Sequence, residues 1–190
     1  MMSEQDGITH DIRSREDEYF RRKDRELVER MQREAVLNHE RQELEAQSGI
    51  HDPALLQELQ ALGFTPETVS LLPLVPIVQV AWSEGISEAE RTLIVQFARE
   101  RGIATGSAAD EQLAGWLENR PPDDVFTRAT RLIRALIDNP ATDRTDLRID
   151  DLIHHCEGIA AASGGVMGFR KISAEERALL QQIESALKTR

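Results

Sequence analysis

Residues 13–47 run RSREDEYFRRKDRELVERMQREAVLNHERQELEAQ, without a glycine or a proline. Intrinsic helix formers dominate the stretch. Glu18–Arg22, Glu26–Arg30 and Glu29–Arg33 place an acid four residues before a base, the favourable order on a helix. At 1.5 Å per residue, one unbroken helix here is a rod of about 50 Å. Its apolar content is thin. Phe20, Leu27, Met31 and Ala35 form a narrow stripe, with Val28, Leu37 and Leu44 beside it. That is too little to bury against a large core, and it is not a sustained heptad seam. Two readings follow: a solvated helix with weak self-association, or a helix shaped for a groove on a partner.

Composition shifts at Ser48-Gly49, which ends the rod. Asp52-Pro53 supplies an N-cap and a proline at the first helical position, and Gly63 stops that helix. Thr65-Pro66 repeats the start signal. The apolar run LLPLVPIVQVAW follows, with Pro73 and Pro76 expected to bend it or to delay its helix to about Pro76. Ser87-Glu88-Ala89-Glu90 reads as a capping box opening a helix that ends at Gly102. Further helices are expected over 108–119, 123–138 and 146–162. A second box, Ser173-Ala174-Glu175-Glu176, opens the last, to about Leu187. No alternating run bounded by turns signals a strand. The expected fold is all-α: a disordered lead-in over 1–12, an extended charged partner-binding helix over 13–48, and a bundle of six or seven helices over 50–190.

Charge narrows the function. Asp and Glu number 34 against 23 Lys and Arg, a net charge of −11. Nonspecific binding to nucleic acid or to an anionic membrane needs a basic field instead. No run of about 18 apolar residues is present to span a bilayer, and no basic-then-apolar leader opens the chain. The single Cys156 excludes an internal disulfide framework and a CxxC metal site. A cytoplasmic protein is expected.

Two segments echo each other. Val80-Ala81-Trp82-Ser83-Glu84-Gly85-Ile86-Ser87-Glu88-Ala89-Glu90-Arg91 is an apolar helix, a glycine stop, an isoleucine and a Ser-x-x-Glu-Arg start. Ile159-Ala160-Ala161-Ala162-Ser163-Gly164-Gly165 repeats the pattern and, after an insertion, continues as Ile172-Ser173-Ala174-Glu175-Glu176-Arg177. Physically, this is one helix–loop–helix unit used twice, with Glu90 and Glu176 capping their helices. The segments resemble the TerB-like (tellurite-resistance) family of all-α domains, over about residues 50–190. In that family the loop is typically Ala-Asp-Gly, then Ile or Val, Ser and a Glu, and its acidic residues are implicated in divalent-metal binding. The resemblance implies a metal role for Glu84, at the position of the Asp, and for Glu90. The second loop keeps Glu176 but has Ser163-Gly164-Gly165 in place of an acid. A metal-responsive stress module or scaffold is the alternative function it implies.

The rod carries Tyr19 and Phe20, two of the chain's eight aromatic residues. Exposed aromatics dominate interface hot spots, and the neighbouring Arg21 and Arg22 can pair bidentately with partner carboxylates. The stretch from Arg15 to Leu27 looks like the inhibitory helix of the mitochondrial ATP synthase inhibitor protein family, which shows an acidic run, Tyr-Phe or Phe-Phe, Arg, and then Glu-Gln-Leu-like residues. The match covers about residues 14–35. The resemblance implies a helix wedged between the α and β subunits of the F-type ATP synthase, stopping ATP hydrolysis. Tyr19 and Phe20 would be its buried anchors, and Glu18, Arg21, Arg22 and Glu26 its polar contacts, with Leu27 and Met31 continuing the contact face. Two departures stand out. A body replaces the family's dimerising coiled coil, and its His-rich regulatory stretch is reduced to His39, which gives no support for a histidine pH switch.

Catalytic signatures are missing. No GxGxxG, P-loop, HExxH or GxSxG motif occurs, and the glycines at 164, 165 and 168 lack the P-loop Lys-Ser/Thr. His154-His155-Cys156-Glu157 suggests chemistry. Yet Ile149, Leu152, Ile153, Cys156 and Ile159 recur at helical spacing, which makes Cys156 a core position. Trp82 and Trp116 read as core or groove-lining residues. The expected function is therefore non-enzymatic, without a required cofactor, acting on a protein partner. A homodimer through the body stays open.

Overall fold

A computed structural model describes residues 4–139, 147–163 and 172–188, with side chains from Glu18 onward. Every described element is helical, and no strand occurs among the described residues. The chain divides into two compact units, Met1–Gln42 and Glu43–Arg190.

The first unit is helix α1 (Glu4–Ser48) up to Gln42. The helix starts at Glu4, ahead of the Arg13 start read from composition, so residues 4–12 are helical and not an irregular lead-in. Gly7 lowers helix propensity by about 1 kcal/mol but does not forbid the conformation. From Glu18 to Glu43 every side chain is exposed. Lys23 meets Glu26 at 3.3 Å and Arg33 meets Glu29 at 3.9 Å, surface pairs that each add a few tenths of a kcal/mol at most.

The second unit takes in the last turn of α1. Leu44 is 1% exposed and belongs to the core, with Ser48 and Ile50 buried nearby in sequence. Gly49, at φ 65°, ends the helix in the left-handed region, its N–H donating to the Glu45 carbonyl at 2.9 Å. Asp52 then caps α2 (Pro53–Ala61), accepting from the Ala54 amide at 2.8 Å. A 3-10 helix (Val69–Leu74) carries Pro73, and α3 (Val75–Ala81) has Pro76 in its first turn, where a missing N–H costs nothing.

Helix α3 is the centre of the unit. Its sequence VPIVQVA is apolar except for Gln79, and the other six residues are buried. A helix that is hydrophobic all round must be covered on all sides. It packs against α4 (Glu88–Glu100), α6 (Asp123–Asp138), α7 (Ile149–Ser163) and α8 (Ala174–Lys188). Helix α5 (Ala108–Glu118) packs on the 3-10 helix. Among the described residues, seven α-helices thus make the bundle, α1's last turn apart. Polar ties fix the outer helices. Trp82 Nε1 donates to the Trp116 carbonyl at 2.8 Å, and Arg91 donates to the Leu117 carbonyl at 2.9 Å. Both satisfy acceptors at the carboxyl end of α5, which the helix itself leaves unpaired. Arg128 pairs with Glu58 at 2.8 Å, joining α6 to α2. Arg134 donates to the Leu187 carbonyl and to Asp138, joining α6 to the end of α8. Among the described residues, no helix is long and apolar enough to cross a membrane.

Candidate protein-binding surface on the first helix

The residues read as partner contacts, Glu18 to Arg22 with Glu26, Leu27 and Met31, all lie on α1, and all are exposed. Tyr19 is 49% exposed, Phe20 61%, Leu27 43% and Met31 59%. Steps of 7 and 4 residues at 100° each put Phe20, Leu27 and Met31 within about 40° of one line along the helix. Tyr19 and Phe20 touch edge to face, with ring centroids 5.9 Å apart and planes at 73°. Arg22 and Lys23 each lie 5.8 Å from the Tyr19 ring centre, within cation–π range. Lys23 is at the same time held by Glu26. The aromatic pair is therefore flanked by cations already ordered against it. Glu18 and Arg21 lie exposed in the same two turns.

The exposed apolar surface extends further than the residues first chosen. Val28, Val36 and Leu37 are each more than half exposed. Val36 and Leu37 form one strip with Glu29, Gln32, Arg33 and Glu40. The signal in the sequence was their apolar character. Their separation from the Phe20–Met31 stripe around the helix kept them out of the site.

The acidic loop is a different kind of place. Glu84 is exposed beside Gly85, which has φ 93°. Glu90 is 1% exposed and closes the capping box: its Oε2 accepts from the Ser87 amide at 2.8 Å and from the Ser87 hydroxyl at 2.7 Å. The second box is equally formed. Ser173 N–H donates to Glu176 at 2.7 Å, and Glu176 N–H to Ser173 Oγ at 3.0 Å. Burial holds the Glu90 carboxyl above the usual 4.5; the Ser87 hydrogen bonds work against this, and the charges of Glu176 and Glu84 add to it. The two echoed units therefore bring their capping carboxylates within electrostatic reach of one another. Among the described residues, no three or more His, Cys, Asp or Glu side chains group so as to hold a metal ion. The second loop, residues 164–171, lies outside the described residues.

Cys156 sits in the core at 1% exposure, and burial, with the Glu157 charge adding to it, pushes its thiol up to about 12. It is a protonated, shielded side chain, the opposite of an activated nucleophile. His154 is exposed, while His155 is half-buried with its ring 4.4 Å from Phe97. Burial, with the Arg101 charge adding to it, lowers the His155 pKa below 6.5. Trp82 and Trp116 are half-buried, Trp116 edge-on to Phe64 at 6.1 Å.

No known protein family, curated protein or solved structure matches the chain.

Proposed function

We propose that this protein is a non-enzymatic regulator that binds a protein partner through α1, with Tyr19 and Phe20 as the anchors. The observation that carries this reading is the exposure of an ordered aromatic pair, followed by Leu27 and Met31, on a largely ionic helix. Grouped on one stretch of helix, these apolar side chains still expose 43–61% of their surface, and docking that removes this remainder from water is favourable at about 25 cal/mol per Å² buried. The cations around them give orientation: Arg21 and Arg22 offer forks that fit carboxylates on the partner. In a chain of net charge −11, residues 21–25 are a local basic segment, which favours an acidic rim around the receiving groove.

The target proposed is the interface of α and β subunits in an F-type ATP synthase, where the inserted helix stops ATP hydrolysis in the cytoplasm. This rests on the likeness of residues 14–35 to the inhibitor protein family. The test is ATP hydrolysis by isolated enzyme titrated with the full chain and with the chain lacking residues 1–35. Inhibition by the first and none by the second is the expected result. Unchanged hydrolysis at micromolar full-length protein overturns the target.

A further inference from the structure

Among the described residues, one buried polar side-chain atom lacks a hydrogen-bond partner: Nδ1 of His155. Buried polar atoms are paired as a rule, so the exception asks for a reason. The half-buried ring sits on α7, which packs against α4, and stands edge-on to Phe97 of α4, with centroids 4.4 Å apart and planes at 67°. Arg101, one turn beyond Phe97 at the end of α4, adds its charge to the surroundings of the ring. The other helices against α7 bring little charge to this place. Helix α3 has no ionisable residue. On α8, Lys188 pairs with Glu184 and acts on Asp150 and Glu157, Glu176 closes its cap, and Arg177 reaches the Ile172 carbonyl. Burial opposes a charged ring most, and Arg101 adds to this; on α7 itself, the Asp151 carbonyl and carboxylate favour the charge and His154 opposes it. The balance leaves the His155 pKa below 6.5.

A neutral imidazole leaves only a lone pair or a single N–H unmet at Nδ1. Protonation makes both ring nitrogens donors and charges them, which puts a charged N–H where no acceptor meets it and a guanidinium repels it. A buried donor without a partner costs more when it is charged. Turning the ring out to water relieves this, and parts the ring from Phe97. We propose that His155 is an acid-released latch between α4 and α7: the neutral ring holds the two helices across Phe97, and the protonated ring lets that contact open. The folded state gives up this proton more readily than the unfolded chain does, so the latch is whole above pH 6.5 and is lost as pH falls from there toward the lower folded value. Glu90 cannot mimic this, because its raised pKa makes proton uptake favour the fold. No residue of the latch belongs to α1, so it is independent of the partner surface.

Amide hydrogen exchange of the full-length protein at about pH 7.5 and about pH 5.5, corrected for the intrinsic rate at each pH, reads the latch. Amides of α4 and α7 in the wild type are expected to exchange severalfold faster at the lower pH. His155→Phe keeps an aromatic ring against Phe97 but takes up no proton, and its corrected rates are expected to match at the two pH values. His154→Gln, at the exposed neighbour, is expected to keep the wild-type response. A second measurement needs no variant at the latch itself: the His155 ring C–H signals, followed by nuclear magnetic resonance, are expected to titrate below 6.5 in the wild type and at a higher pH in Arg101→Gln. Wild-type rates that match at both pH values, the same acid response in His155→Phe as in the wild type, a His155 midpoint at or above 6.5, or a midpoint that Arg101→Gln leaves in place would each overturn the proposal.

Discussion

Leu37 and Leu44 are seven residues apart on the same helix, yet one is 53% exposed and the other 1%. Substitution should separate them cleanly. Leu44→Ala removes buried methyls from the core and is expected to lower unfolding free energy by about 2–5 kcal/mol, while Leu37→Ala stays within about 0.5 kcal/mol, both read by urea denaturation. Equal effects would mean that the boundary between the two units is misplaced. The sequence showed both leucines beside one stripe of a charged rod; what buries Leu44 is packing with residues far along the chain, which local periodicity does not encode. Cys156 was more legible, because its apolar neighbours at helical spacing marked the buried face. Its shielded thiol, pushed up to about 12, should resist iodoacetamide in the native protein and react fully only after unfolding. Rapid labelling at neutral pH without denaturant would contradict the placement.

Helix starts were the most readable elements, because capping is local chemistry. Asp52-Pro53 and both Ser-x-x-Glu boxes form hydrogen bonds within three residues, and the structure has all three. The neighbourhood of the boxes was not readable: nothing local says that Glu90 and Glu176 are both 1% exposed or that their charges interact. A pH dependence follows. Glu90's folded-state pKa is raised above 4.5, so the folded state holds its proton more tightly than the unfolded chain does. Stability from this residue therefore rises as pH falls through the folded value toward 4.5, and its charge is a cost at neutral pH. Glu90→Gln keeps the cap geometry and removes the charge. This variant is expected to equal or exceed the wild type in stability at pH 7 and to lose that advantage as pH approaches 5. A wild-type advantage that grows with acid-free conditions, measured by denaturant unfolding at both pH values, would reverse the sign. Removing the cap itself, with Ser87→Ala, should cost about 0.5–2 kcal/mol at either pH.

The division of the chain at Gln42–Glu43 makes a truncation prediction. A fragment of residues 43–190 should unfold cooperatively with nearly full stability, whereas one of residues 50–190 loses Leu44 and falls by about 2–5 kcal/mol. Composition placed the break at Ser48-Gly49 because that is where the helix stops; the core, however, reaches back into the helix. The all-α architecture was legible throughout, since glycine, proline and capping residues punctuate every element. The covering of α3 was not, because its neighbours α4, α6, α7 and α8 lie along the rest of the chain and meet only once the bundle is packed. The exposure of Tyr19 and Phe20 was legible for the opposite reason: an aromatic pair on a charged rod needs no tertiary context to stand out. The decisive comparison is the affinity of the isolated α/β catalytic assembly for the wild-type chain and for the Tyr19→Ala/Phe20→Ala variant. Loss of two anchoring aromatics should weaken binding by about a hundredfold or more, with the melting temperature held within about 3 °C. Equal affinity of the two proteins, or a variant whose core melts much lower, would contradict the docking of α1 through its aromatic pair.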